Sequence, residues 1–112
     1  MQIIRKPTSL IHLWESREID FVEIMKIVVD INQELLAIDG EMHADLENIL
    51  LEMGSRQGDL WGANIYPSND KTDRIEFTSF INIRPSQGNR AMEIRDPNIK
   101  EVIRSIVNKL LI

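Results

Sequence analysis

The chain has 112 residues, 43% hydrophobic and 28% charged, with no cysteine and a formal net charge of −5. That composition fits one folded domain and excludes collagen-like, low-complexity and disordered chains. Without cysteine there is no disulfide framework, no thiolate metal site and no cysteine nucleophile.

The longest apolar runs have four residues or fewer, too short to span a bilayer. The opening Met1-Gln2-Ile3-Ile4-Arg5-Lys6-Pro7 lacks the apolar centre of a secretory leader, so a cytoplasmic location is expected. Charge is unevenly spread. Residues 1–52 carry 4 basic and 11 acidic side chains (−7), and residues 53–112 carry 9 and 7 (+2). No Lys/Arg cluster exceeds the Arg5-Lys6 pair, which argues against nucleic acid as a partner, because phosphate neutralisation supplies most of that affinity.

In chain order, Leu10, Leu13 and Trp14 after Pro7-Thr8-Ser9 predict a short helix at about 9–17. Residues 21–38 admit two readings. Ile27, Val28, Val29 and Ile31 favour a strand, with Asn32-Gln33 turning into a second strand from Leu35 to Ile38. A helix started by Asp20 and Glu23 would instead align Ile24, Val28, Ile31, Leu35 and Ile38 and stop at Gly40. The hairpin is preferred, because β-branched residues crowd the middle and a polar pair interrupts it.

Met42, Leu46, Ile49, Leu50 and Met53 form a helical stripe over 42–53, with Gly54 just past its end. Trp61, Ala63 and Ile65 alternate with polar or small residues, and Ile75, Phe77, Ile81 and Ile83 alternate with Glu76, Thr78 and Asn82 over 75–83, broken by Ser79 and Phe80. The two segments flank the turn-rich Pro67–Asp73 and read as an antiparallel hairpin. Asp96 and Pro97 then start a helix whose Ile99, Val102, Ile103, Ile106, Val107, Leu110 and Leu111 make one stripe. Burying that stripe is worth roughly 10–20 kcal/mol gross, about what ordering the segment costs, so the helix must lie on a sheet.

The expected fold is therefore one α+β domain spanning 1–112. A mostly antiparallel sheet of about four to five strands is packed on one face by the C-terminal helix, with two shorter helices. The five methionines are expected as core gap fillers.

Three segments carry candidate chemistry. His43-Ala44-Asp45-Leu46-Glu47 holds residue types that bind metal or move protons. On a helix His43 and Glu47 share a face, but Asp45 points roughly 200° away, so a metal would need a further ligand. Plain helix-start chemistry explains the acids equally well. Arg84-Pro85-Ser86-Gln87-Gly88-Asn89-Arg90 follows a predicted strand, has a guanidinium at each end and suits phosphate or carboxylate. Its structural reading is a strand-ending turn. Ser55 beside Arg56 invites a nucleophile, but only His12 and His43 are available and no G-x-S-x-G elbow exists. Asn64 lies between Trp61 and Tyr66, where it either satisfies backbone or lines a cleft. No particular cofactor is indicated.

Four segments together resemble a family of short prokaryotic proteins known only as a domain of unknown function. They are Asp39-Gly40-Glu41-Met42-His43-Ala44-Asp45, Leu50-Leu51-Glu52-Met53-Gly54-Ser55, Leu60-Trp61-Gly62-Ala63-Asn64-Ile65-Tyr66-Pro67 and Ile81 through Arg90. The resemblance covers nearly the whole chain. It implies a single self-contained domain and carries no activity, cofactor or catalytic residue.

Two functions follow as expectations. The favoured one is a non-enzymatic binding or assembly module, a homodimer joined through a sheet edge or the Leu110-Leu111-Ile112 tip. The alternative is a small anionic-ligand site or enzyme. There Arg84 and Arg90 hold the anion, Ser86, Gln87, Asn89 and Asn64 orient it, and His43 with Glu47 supplies acid–base or metal chemistry.

Overall fold

The computed structural model describes residues 1–112. Five strands, β1 (Gln2–Ile4), β2 (Met25–Asp30), β3 (Leu35–Ile38), β4 (Leu60–Ile65) and β5 (Ile75–Glu76), form one antiparallel sheet in the order β1-β3-β2-β4-β5. Three helices accompany it: α1 (Leu10–Glu15), α2 (His43–Glu52) and α3 (Pro97–Leu110).

Residues 21–38 resolve as the β2–β3 hairpin, with Val28 opposite Ala37. Its turn is built on Asp30, which is fully buried. One carboxylate oxygen of Asp30 accepts from the Asn32 and Gln33 N–H groups, each at 2.9 Å, and the other accepts from Ser55 Oγ at 2.7 Å. Satisfying the acid on all sides makes its burial tolerable. It also shows what Ser55 does: its hydroxyl donates to Asp30, and no histidine partners it.

The sheet is covered on both faces. Ile27, Val29, Leu36, Ile38, Trp61, Ala63 and Ile65 pack with α1 and α3 in the main core. Val28, Leu35, Ala37 and Leu60 alternate onto the opposite face and pack with Leu46 and Leu50 of α2. Hence β3 and β4 are buried throughout, which reads in sequence as a run more than an alternation. α3 begins as its residues dictate: Asp96 accepts from the Asn98 N–H at 2.8 Å, with Pro97 in the first turn. Arg74, buried beside β5, donates to the Leu111 carbonyl at 2.8 Å and ties down its far end.

Three expectations are corrected, and one strand is added within the expected four to five. The strand predicted over 75–83 ends at Glu76. Ser79 accepts from the Ile81 N–H with its side chain and starts a single 3₁₀ turn at Phe80–Asn82, whose three-residue repeat imitated alternation. Second, only Met25 is buried, while Met1, Met42, Met53 and Met92 are exposed. Third, Leu110 and Leu111 lie in the chain's own core, and Thr8 bridges to Leu111. They are therefore not free to meet a partner, and of the tip only Ile112 is exposed. The added strand is β1, the fifth; three residues are too few to show a period.

Candidate functional site

α2 and the irregular segment 79–95 lie side by side and hold most of the sequence candidates. Glu47 and Arg84 form an ion pair at 3.2 Å, with side chains only 12% and 9% exposed. The Arg84 guanidinium also stands 5.0 Å from the centre of the Trp61 ring, within cation–π range. Burial pushes the Arg84 pKa down and Glu47 opposes that shift, so the guanidinium stays charged. Its charge is already met inside the protein.

His43 starts α2, and its Nε2 lies 2.8 Å from the Ala63 carbonyl. A carbonyl only accepts, so the ring proton sits on Nε2 and Nδ1 is left as the acceptor. Burial lowers the His43 pKa from its ordinary 6.5, the bond to Ala63 opposes the shift and nearby Lys26 adds to it. The imidazole is neutral at pH 7. No group of three or more His, Asp or Glu side chains is placed to hold a metal ion.

The other candidates separate. Asn89 is buried, with Nδ2 donating to the Asn82, Ala91 and Glu93 carbonyls and Oδ1 accepting from the Arg95 N–H at 3.0 Å. It holds the 82–95 loop together. Gln87 donates to the Gly58 carbonyl at 3.0 Å, and Asn64 donates to Glu76 at 2.8 Å. Ser86 is exposed on the loop, and so is Arg90.

Two cavities open between α2 and segment 79–87. One of about 300 Å³ is lined by Glu47, Arg84, Ser86, Gln87 and Ile83 among others. The second, about 330 Å³, is lined by Lys26, Met42, His43, Ala44 and Ser79. Phe80 and Ile81 belong to both walls, so the two form one groove divided by a ridge. Glu47 and Arg84 thus meet in one cavity, His43 lies in its neighbour, and Arg90 lines neither.

Three features were missed from sequence. The Glu47–Arg84 pair joins residues 37 positions apart, which no local spacing encodes. Phe80, 77% exposed, lies within the span predicted as a strand, where with Ser79 it breaks the alternation; its place on a ridge is not local information. Asn82, fully buried, seemed the polar half of an alternation, yet its amide bonds β4. A polar residue inside an apolar run was the signal available for it.

A small antiparallel α/β/α sandwich with a groove beside its second helix is thus the class the geometry defines. The sequence matches the family described as "Protein of unknown function (DUF5674)" over residues 2–110, and the chain belongs to that family. No curated protein and no solved structure matches it. No helix is long and apolar enough to cross a membrane.

Proposed function

We propose that this domain is a non-catalytic assembly module that pairs with a second copy of itself across the groove between α2 and residues 79–87. The observation that carries this reading is Phe80. Its ring is 77% exposed and stands as a ridge between two cavities, one of them lined largely by apolar groups. Knob and hole lie side by side on one face. A two-fold axis there seats each copy's Phe80 in the other's cavity, against Met42 and Ala44, as an isologous contact requires.

Charge supports the same pairing. Outside the internal Glu47–Arg84 pair, residues 41–52 carry Glu41, Asp45 and Glu52 and no Lys or Arg, while residues 79–95 carry Arg90 and Arg95 against Glu93. The two-fold arrangement lays the acidic helix of one copy over the basic segment of the other. Met42 and Ile83 are also exposed beside the ridge and add apolar area to the contact. The anion-clamp reading has less support, because Glu47 neutralises Arg84 and Arg90 lies outside the groove.

Sedimentation equilibrium tests this proposal. The wild-type chain should be dimeric at high micromolar concentration, and Phe80→Asp should be monomeric with an unchanged circular dichroism spectrum. A wild-type chain that stays monomeric throughout, or a Phe80→Asp dimer of equal affinity, overturns it.

A further inference from the structure

We propose that the cavity between Trp61, the turn at 87–89 and the start of α3 binds a small oxyanion, a carboxylate or phosphoryl group, independently of the groove. The cavity measures about 290 Å³, and its lining includes Trp61, Gly88, Arg95, Asp96 and Ile99. One buried hydrogen-bond donor there lacks any acceptor. Trp61 is 1% exposed and its indole Nε1–H has no partner. The Arg84 guanidinium lies 5.0 Å from the centre of the same ring, but it belongs to the neighbouring cavity with Glu47. A buried donor is rarely left without an acceptor, because it gives up its bonds to water and gains none in return.

The missing partner is an acceptor, and the surrounding charge selects its sign. Arg95, on the cavity wall, belongs to no ion pair, and nearby Glu93 is bonded to Lys100 instead. Asp96 is the one carboxylate on the lining. It is committed to capping α3 through the Asn98 N–H at 2.8 Å, and Arg95 offsets its charge. Gly88, at φ +79°, leaves open space where a Cβ would project, so the rim is clear for entry. A two-oxygen acceptor then bridges the Arg95 fork and the indole N–H, the pairing that bidentate guanidinium geometry favours. The sequence pointed to an anion between Arg84 and Arg90. The geometry moves it one turn along the loop, to Arg95 and Trp61.

The indole N–H resonance reads the site directly. The chain has two tryptophans, and Trp14→Phe leaves Trp61 as the sole indole signal. Titrating that variant with inorganic phosphate and, separately, with acetate should move the Trp61 indole proton saturably with at least one of the two. The stronger of the two identifies the ligand as phosphoryl or carboxylate. Adding Arg95→Met, an exposed change that leaves the core alone, should weaken the affinity about tenfold or more. The inference is overturned if neither probe saturates, if chloride at equal ionic strength gives the same shift, or if Arg95→Met leaves the curve unchanged.

Discussion

Asn82 and Gly62 are paired as two strands would be. The Gly62 N–H donates to Asn82 Oδ1 at 2.8 Å, and Asn82 Nδ2 donates back to the Gly62 carbonyl at 2.9 Å. β5 covers only the Asn64–Ile65 end of β4, so a side-chain amide completes the ladder where the strand stops. The same Nδ2 reaches the Met92 carbonyl at 3.1 Å and ties the 82–95 loop to the sheet.

Asn82→Ala should therefore lower stability by about 2–4 kcal/mol, since two backbone groups of Gly62 lose their partners in a site without water access. Urea denaturation measures it. A loss within about 0.5 kcal/mol, the range of an ordinary surface change, would show that the pairing matters little.

Gly62 itself is fixed by the close approach of the 79–82 turn. A Cβ on Gly62 would stand 2.6 Å from the Ser79 Cβ and 2.7 Å from its Oγ. Gly62→Ala is expected to cost about 1–3 kcal/mol by overpacking. Ser79→Gly should relieve part of it, so the double variant ought to be more stable than the sum of the single changes predicts.

The Glu47–Arg84 pair fastens α2 to the same loop. Glu47→Gln leaves a buried guanidinium without its counter-charge and should cost about 2–4 kcal/mol. Glu47→Met combined with Arg84→Met should cost less than Glu47→Gln alone, because no orphan charge remains. Thermal melts of the three chains decide it. A double variant worse than Glu47→Gln would mean that the pair contributes net attraction.

His43 gives stability a pH dependence of known sign. Its folded pKa lies below the ordinary 6.5, chiefly through burial, so below that pH the unfolded chain takes up a proton that the folded chain resists. The stability that neutral His43 contributes is complete above about pH 6.5 and falls as the solution is acidified toward the folded pKa. His43→Gln keeps a donor for the Ala63 carbonyl and removes the titration. Between about pH 7 and pH 5 its stability should decline less steeply than that of the wild type; parallel declines would contradict this account of His43.

Most of the scaffold was legible because its signals are local. Ser9, which accepts from the His12 N–H at 3.2 Å, and Asp96 mark helix starts wherever they occur before an apolar period. The β2–β3 hairpin announced itself through Ile27–Val29 and a polar turn. The pairing of Gln2–Ile4 with Leu36–Ile38 is carried by three residues and by the chain's return to the sheet, so only tertiary structure reveals it. The site was harder. Arg84, Asn89 and Gln87 looked like a ligand loop because an internal bonding network and an external one use the same residue types. Asn89 spends its whole amide on its own loop, and Arg84 spends its charge on Glu47. Which polar groups stay unpaired, as on Trp61 and Arg95, is a property of packing alone.

The self-pairing of the α2 groove is tested most directly by cross-linking. The chain has no native cysteine, so Met42→Cys and Phe80→Cys can be made separately, mixed and treated with a short bis-maleimide. If each copy's residue 80 sits in the other's cavity, the mixture yields a covalent Met42→Cys–Phe80→Cys heterodimer. It should far exceed the product of Met42→Cys with Val22→Cys, a control position more exposed than Phe80. Equal yields from the two mixtures, or no linked dimer in either, would contradict the account.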